Sequence, residues 1–328
     1  MHASGIILVL AIMVLIGATA NAQVKIDKIP FFNQPNCYRL SNGDVEVIVT
    51  SDIGPRIIGY RFPGGENMLA ELPDAVVPTA FGDWHPYGGH RLWAAPEVMP
   101  RTYYPDNSPI TAEPGKDSIR LIEPTEPPTG IQKEMLITLD ATGTRVTILH
   151  KLTNKGIWPV ELAPWALTIV NGGGTTIIPN EPFVSHDDKL TPARSMTLWG
   201  YTDFSDPRYT FGKKYTRLHT DEKLNDPQKV GFADKLGWAG YLRKDILFVK
   251  TFPYMEGKEY PDNGCNFETY TAGTFMEVET LGPMVKLEPE QSVTHEEHWF
   301  LFKDVKAGST EDSLDAAIKP LIERLAKK

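Results

Sequence analysis

A series of short segments with alternating apolar and polar residues constrains this chain most. In "KEMLITLD", Met135, Ile137 and Leu139 fall on one face of an extended strand. Similar β-rich runs are found in "DVEVIVTS", "RVTILHKLTN", "DILFVKTF" and "SVTHEEHWFLF". Gly, Pro, Asn and Asp residues separate these runs, as the turns of a β-sheet require. The pattern predicts an all-β fold of antiparallel strands.

The length of the chain, 328 residues, leaves open one large domain or two halves of one. An all-β sandwich extends to about 250 residues as a single unit. The loop "EPTEPPTG" (123–130) is too short and too local to separate two domains. We therefore predict a single β-sandwich domain over residues 23–328, preceded by a signal peptide at residues 1–22, with a ligand on a concave sheet face.

The composition is that of a globular protein and excludes some partners. Hydrophobic residues make up 41% of the chain and charged residues 23%, which argues against disorder. The formal net charge is −9, whereas phosphate binding needs clustered Lys and Arg. We expect no nucleic-acid partner. A neutral sugar remains compatible, because it needs no charge steering.

The N-terminal segment predicts export. Residues 6–16 are uniformly apolar but too few to span a bilayer comfortably. Ala20-Asn21-Ala22 then has the small-x-small pattern read by signal peptidase. We expect cleavage after Ala22 and a periplasmic or secreted protein beginning at Gln23, with no integral membrane span. The alternative is an uncleaved N-terminal anchor.

Cys37 and Cys265 are the only cysteines. In an oxidising compartment they are able to form a disulfide, but two cysteines so far apart in sequence are equally compatible with separate buried thiols. Neither belongs to a CxxC motif, so no cysteine metal site is expected.

A helix is predicted at the C-terminus. Ser309 is a suitable cap, and Lys327-Lys328 suit the C-terminal end of the helix. The apolar residues with helical spacing are Leu314, Ala317, Ile318, Leu321, Ile322 and Leu325. Pro320 is expected to kink the helix, which we predict to pack on a sheet edge.

Familiar catalytic motifs are missing from the sequence. There is no G-x-S-x-G, P-loop, G-x-G-x-x-G or H-E-x-x-H motif. The glycine-rich "NGGGTT" (171–176) lacks the Lys of a phosphate loop and is interpreted as a turn. We expect no cofactor.

Clusters of aromatic and polar residues are the main functional signal. The most concentrated is "YGGHRLWAAPE" (87–97), with His90, Arg91, Trp93 and Glu97. Others centre on "LAPWALTI" with Trp165, on "SHDD" with His186, on "LWGYTDFSDPR", and on "NGCNFETYTAGTFMEVETLGP" with Asn266, Glu268, Glu277 and Glu279. Aromatic rings stack on the C–H faces of a pyranose, while Arg, Asn and carboxylates bond its hydroxyls. Together these clusters favour a carbohydrate ligand.

Each cluster also has a structural interpretation. Trp165 is equally compatible with a core position, and Arg91 with Glu97 is compatible with a structural ion pair. His186 suits a solvated loop, and the neighbouring Asp187-Asp188 pair suits either solvent or a calcium ion. The run from His295 to His298 resembles a metal cluster, but strand alternation divides it between two faces. We therefore predict no metal site.

Two segments carry a resemblance to a known family. "DIGPRIIGYRFPGGENMLAE" resembles the strand pair and turn that open the galactose mutarotase-like, or aldose 1-epimerase-like, sandwich. "FMEVETLGPMVKLEPEQSVTHEEHWFLF" resembles that family's Glu-bearing strand, turn and final strand. The resemblance implies an antiparallel supersandwich with a sugar site on its concave face. The chain is most similar to an exported branch of the group.

The resemblance also implies a mechanism. In the enzymatic members a carboxylate removes the proton of the anomeric hydroxyl while a His protonates the ring oxygen, so that the ring opens and recloses. Glu279 matches the position of the base, and Glu277 shares its face. Trp165 stands where the family has its His, and an indole is only a hydrogen-bond donor. His90, His186 or another His would have to supply the acid.

Two main hypotheses follow. The first is an exported carbohydrate-binding protein that does no chemistry. In it, Arg91 binds hydroxyls or a uronate carboxylate, Trp93 stacks on the ring, and Glu97 orients Arg91. The second is an enzyme, either an isomerase of the aldose 1-epimerase type or another sugar-processing enzyme, with Glu279 as base and a relocated His as acid. A lyase or hydrolase using Asp203, Glu268 and Tyr201 is a weaker third option.

Overall fold

Residues 23–325 are described by the computed structural model, and their strands form two large antiparallel sheets and a small hairpin. The predicted signal segment lies outside these residues. The strands of the first sheet are β1 Lys25–Phe31, β2 Gln34–Ser41, β3 Glu46–Thr50, β4 Arg56–Arg61, β5 Glu71–Leu72, β8 Tyr87–Ala95, β13 Val160–Asn171, β15 Met196–Leu198, β18 Gln228–Phe232, β21 Phe267–Thr271, β22 Phe275–Leu281 and β23 Val285–Leu287.

The second sheet and a small hairpin complete the strands of this region. The strands of the second sheet are β9 Thr111–Pro114, β10 Ser118–Ile122, β11 Ile131–Leu139, β12 Val146–Asn154, β14 Gly174–Pro179, β16 Tyr209–Phe211, β17 Tyr215–His219, β19 Trp238–Arg243, β20 Ile246–Thr251 and β24 Ser292–Phe302. The hairpin pairs β6 Val77–Thr79 with β7 Gly82–Trp84. The helical segments are α1 Pro261–Gly264, a single turn, and α2 Glu311–Leu325.

Strand order explains how distant segments meet. The first sheet runs β1-β2-β3-β4-β8-β13-β22-β21-β18-β15, and β5 and β23 attach to β8 and β13. The second runs β16-β17-β14-β19-β20-β24-β12-β11-β10-β9. The central strands of the first sheet therefore come from the beginning, middle and end of the chain.

The core lies between the two sheets. Val47 and Val278 of the first sheet and Ile137 and Trp299 of the second are fully buried in one apolar cluster. Burying such side chains stabilises the fold by about 1.5–3 kcal/mol each. The all-β prediction and the antiparallel sandwich are confirmed.

The predicted strand faces are also confirmed. Met135, Ile137 and Leu139 of β11 all point into the core. "SVTHEEHWFLF" corresponds to β24, in which buried His295 and Glu297 alternate with outward-facing neighbours.

Two glycines in β8 permit a close approach of neighbouring strands. Gly88 and Gly89 have φ values of +87° and +68°, which side chains rarely adopt. A Cβ atom at Gly88 would lie 2.0 Å from the carbonyl oxygen of Ala70, and one at Gly89 would lie 2.3 Å from that of Ile57. Glycine is therefore required at both positions.

Helix α2 differs from its prediction in two details. Thr310, rather than Ser309, provides the cap, since its hydroxyl accepts from the Ser313 N–H. The helix covers the outer face of the second sheet instead of an edge, because Leu314 and Ile318 pack with Trp238 and other outward-facing residues. Pro320 lies within the helix on its exposed side.

Cys37 and Cys265 are separate buried thiols in this structure. Within residues 23–325, no helix is long and apolar enough to cross a membrane.

Candidate functional site

Five adjacent strands of the first sheet present their outward side chains to one region. These strands are β8, β13, β22, β21 and β18. Because side chains alternate along a strand, Arg91 and Trp93 point away from the core while Leu92 points into it. Trp165 of β13 pairs directly with Trp93.

These side chains and the surrounding loops form a cleft of about 470 Å³, within the range of ligand pockets. Apolar, aromatic and charged groups all contribute to it. The lining residues are Leu72, Ala75, Val77, Trp84, Pro86, Arg91, Trp93, Glu97, Met99, Tyr103, Trp165, Leu167, Ile169, Trp199, Tyr201, Pro227, Lys229, Tyr270, Phe275 and Glu277.

A row of indoles and cations crosses the cleft. The Arg91 guanidinium lies 5.1 Å from the ring centroid of Trp84 and 4.3 Å from that of Trp93. The rings of Trp93 and Trp165 meet edge to face at 5.4 Å. Cation–π contact of this kind is stronger in a desolvated site.

The second cation of the row, Lys229, is almost fully buried. Its ammonium lies 4.8 Å from the Trp165 ring and 4.7 Å from the Trp199 ring. It is also 2.7 Å from a carboxylate oxygen of Glu268 and 3.1 Å from one of Glu279. Burial alone would lower the pKa of Lys229, but the two carboxylates outweigh it and raise the pKa well above its usual value. Lys229 is therefore a fixed cation and not a base.

Glu279 is enclosed by its partners. Its Oε2 accepts hydrogen bonds from the Trp165 indole at 2.8 Å and from Lys229 at 3.1 Å, and its side chain has no exposed surface. Trp165 thus has a specific polar role besides packing. The predicted base lies beneath the cleft lining, behind Lys229 and Trp165.

Glu277, unlike Glu279, lines the cleft. It lies on the same face as Glu279, as predicted, and accepts a 3.2 Å hydrogen bond from Nη2 of Arg91. Burial raises its pKa to about 7, with Arg91 opposing and Glu279 reinforcing the shift. Its protonation state therefore changes near neutral pH.

The predicted contact between Glu97 and Arg91 is wrong. Glu97 stands at the exposed rim and accepts a hydrogen bond from the hydroxyl of Tyr103. Arg91 pairs with Glu277 from β22 instead. The register of distant strands decides this pairing, so proximity in sequence is a poor guide to it.

His90 does not reach the cleft, because it alternates with Arg91 and points into the sandwich. Its Nε2 lies 2.7 Å from Nε2 of His150, and its Nδ1 lies 2.8 Å from the Thr168 hydroxyl. Burial lowers its pKa well below the usual value, although Glu297 opposes the shift. The prediction that His90 supplies an acid beside Glu279 does not fit this position.

Within residues 23–325, His90, His150 and Glu297 form a group close enough to hold a metal, with ligand atoms within 4.8 Å of one another. The same atoms already form a complete hydrogen-bond network. Glu297 accepts from Trp299 at 2.7 Å and Thr280 at 2.6 Å and pairs with Lys250 at 3.0 Å. Because the Lys250 ammonium already contacts the Glu297 carboxylate, these three side chains fit a polar core better than a metal site.

Three further predicted residues lie away from the cleft lining. His186 is on an exposed loop beside Asp187. Asn266 is buried and its side chain bonds the backbone of Asp234. Glu268 is buried behind Lys229. Arg91, Trp93, Glu97, Trp165, Tyr201 and Glu277 are the predicted residues that the structure brings together there.

Lys229 and Tyr270 are site residues that the sequence analysis missed. Lys229 occurs in "DPQKVGF", which carries no aromatic or acidic cluster of its own. Its carboxylate partners come from β21 and β22, so only strand pairing reveals its environment. Tyr270, in the predicted cluster "NGCNFETY", pairs directly with Glu277 across the sheet.

A groove of about 530 Å³ beneath helix α2 is a second concavity. Lys213, Lys214 and Lys319 line it, but Lys214 is already paired with Asp315. None of the predicted site residues lies there, so the cleft is the stronger candidate.

Comparison with known proteins identifies the fold. No family model matches the chain, and no curated protein matches it. Among solved structures, a galactose mutarotase-like protein from Clostridium acetobutylicum has a TM-score of 0.52 at 11% identity, with 86% of this chain and 100% of that chain covered. A second, from Lactobacillus casei, has a TM-score of 0.52 at 10% identity, with 81% and 100% covered.

A longer protein also shares the fold. A TPR-domain containing protein from Parabacteroides distasonis has a TM-score of 0.56 at 14% identity, with 84% of this chain covered. This chain spans only 49% of that protein. The chain thus has the galactose mutarotase-like fold, as its sequence resemblance implies, and identity this low extends the conclusion no further than the fold.

Removing the Lys229 ammonium should destabilise the protein strongly. We expect Lys229→Met to lower the free energy of unfolding at pH 7 by about 3–5 kcal/mol, because two buried carboxylates lose their cation. Urea denaturation measures the change. The triple variant with Glu268→Gln and Glu279→Gln should recover most of the loss.

Exposed Lys258 provides the matched control, since Lys258→Met removes a charge that has no buried partner. Burial raises the pKa of Glu268, and without Lys229 this carboxyl should take up a proton more readily than in the unfolded chain. The loss of unfolding free energy caused by Lys229→Met should therefore become smaller as the pH falls from 7 to 5. Equal stability of Lys229→Met and Lys258→Met would contradict this role.

Proposed function

We propose that this protein binds a carbohydrate in the cleft on the outer face of its first sheet. One observation carries the proposal: a cleft of sugar-binding dimensions combines aromatic walls with a few fixed polar groups. Trp199, Tyr201 and Tyr270 retain exposed ring surface for stacking. Arg91 and Glu277 offer donors and an acceptor for hydroxyls.

The groups available for proton transfer in the cleft support binding without mutarotation. No histidine is among the cleft-lining residues in the described part of the chain. Lys229 has a raised pKa and is a poor acid. Glu279, which matches the base of the mutarotase-like enzymes, is covered by Trp165 and Lys229. Two groups flanking one sugar ring, as general acid–base catalysis requires, are not assembled.

An isomerase of the aldose 1-epimerase type is the second candidate, and Glu277 favours it. This carboxylate lines the cleft and has a pKa of about 7, which suits a general base at neutral pH. In that case Glu277, two residues before Glu279 on the same face, would take the role of the base. Tyr270 pairs with Glu277 across the sheet, but burial raises its pKa to about 12, so a different group would have to act as the acid.

Equilibrium binding and anomeric exchange distinguish these functions. We expect NMR titration with a panel of aldoses, uronates and their oligomers to show binding, and exchange spectroscopy to show no acceleration of anomer interconversion. Trp199→Ala should weaken binding by about threefold to tenfold through loss of stacking. Trp158→Ala is the matched control, because Trp158 is 76% exposed in the turn between β12 and β13.

The other outcomes are equally informative. Accelerated exchange that Glu277→Gln abolishes and Glu279→Gln retains would establish the isomerase with Glu277 as base. The reverse pattern would restore Glu279 as base. If no sugar in the panel binds, the carbohydrate proposal is wrong.

We also propose that the protein is exported, as residues 6–22 indicate. Expression of the full chain in a bacterial host should yield a mature protein whose mass corresponds to a start at Gln23. A full-length mass would favour the uncleaved anchor.

A further inference from the structure

Arg91 holds hydrogen-bond donors that the protein leaves unused. Its side chain is only 4% exposed, yet within residues 23–325 its Nε and Nη1 have no acceptor. Nη2 alone is engaged, with Glu277. An unsatisfied buried donor is costly, and more so when it is charged. Arg91 also lines the cleft, so an acceptor on a ligand is able to complete its bonding.

The neighbouring indole of Trp84 also has a hydrogen-bond donor without an acceptor. Nε1 of Trp84 is buried without an acceptor among the described residues, and Trp84 lines the cleft beside Arg91. A sugar hydroxyl accepts a hydrogen bond but also brings a proton that needs an acceptor of its own. A carboxylate only accepts. The part of the cleft beside Arg91 and Trp84 therefore suits a carboxylate better than a hydroxyl.

The geometry of Arg91 also suits a carboxylate. Trp84 and Trp93 contact its guanidinium at 5.1 and 4.3 Å, which restrains the group. A restrained guanidinium offers a planar pair of N–H groups to the two oxygens of a carboxylate. Lys229, in contrast, is compensated by Glu268 and Glu279. Of the two cleft cations, Arg91 is therefore the one whose hydrogen-bond donors still lack acceptors.

We propose that the ligand of this cleft is an acidic sugar, a uronic acid unit whose carboxylate binds Arg91 beside Trp84. This inference rests on the carbohydrate-binding function proposed above and names its substrate class. The carboxylate is the chemistry recognised, whether the uronate is a free monosaccharide or a unit of an oligomer.

The proposal implies a link between binding and protonation of Glu277. A bound carboxylate would repel ionised Glu277, so binding should favour its protonated form and weaken as the pH rises through about 7. Glu277 interacts electrostatically with the following groups: Arg91, Tyr103, Lys229, Tyr270 and Glu279. Glu97 accepts a hydrogen bond from the Tyr103 hydroxyl.

Matched ligands test the proposal directly. The probes are the methyl glycosides of D-glucuronate and D-galacturonate, a galacturonate trimer, and the methyl esters of all three, which keep the shape but remove the charge. Titration calorimetry should show at least about tenfold tighter binding of one acid than of its ester at pH 6. That preference should fall markedly at pH 8. The trimer separates an oligomer site from a monosaccharide site.

Two variants and a control complete the experiment. Arg91→Gln should lose the preference for the acid, while Glu277→Gln should bind the acid at pH 6 and retain that affinity at pH 8. Arg120→Gln, at a partly exposed arginine of the second sheet, should change neither property. Unfolding of Arg91→Gln would leave the acid–ester comparison and Glu277→Gln as complete tests.

Each contrary result has a defined meaning. Equal binding of acid and ester would overturn the acidic-sugar inference and leave the carbohydrate proposal intact. Binding of the acid that Arg91→Gln retains in a folded protein would also overturn it. Failure of all sugars, neutral and acidic, would overturn both proposals.

Discussion

The buried ammonium of Lys229 connects three strands of the candidate site. It joins β18 to carboxylates on β21 and β22, and it contacts the indoles of Trp165 and Trp199. Removal of such a charge from water is expensive unless it is paired. The arrangement therefore fixes the positions of Glu279 and Trp165, and through them the floor of the cleft. Glu279 is thus a counter-ion of Lys229.

Alternation along two central strands gives the first sheet polar groups on both faces. On the outer face, Arg91 and Glu277 meet beside the cleft. On the inner face, His90 joins a closed network with His150 and Glu297. The inner groups have partners within the protein, whereas Arg91 retains donors without acceptors. This contrast supports the proposal that a ligand binds the outer face, while the inner polar groups have a structural role.

The sequence predicts the fold well because local patterns determine strands. The run from Met135 to Leu139 and the final strand, β24, lie where period-two alternation places them. The same alternation separates His90 from Arg91, and applying it there would have excluded His90 from the cleft. Helix α2 was predicted, but its docking face depends on apolar residues of several distant strands.

The site was predictable only in part. Arg91, Trp93, Trp165 and Glu277 stand out because they combine aromatic and charged residues in short segments. Lys229 does not, since its partners are 39 and 50 residues away in sequence. The pairing of Arg91 with Glu277 spans 186 residues. Such contacts follow from strand order, which local patterns do not specify.

The central claim is that the outer face of the first sheet is the ligand site. A crystal structure of the protein with a sugar that binds it in solution tests this claim most directly. The account predicts a sugar ring in the cleft, in contact with Trp199 or Tyr270 and hydrogen-bonded to Arg91 or Glu277. A sugar bound in the groove beneath helix α2, with the cleft free of it, would contradict the account.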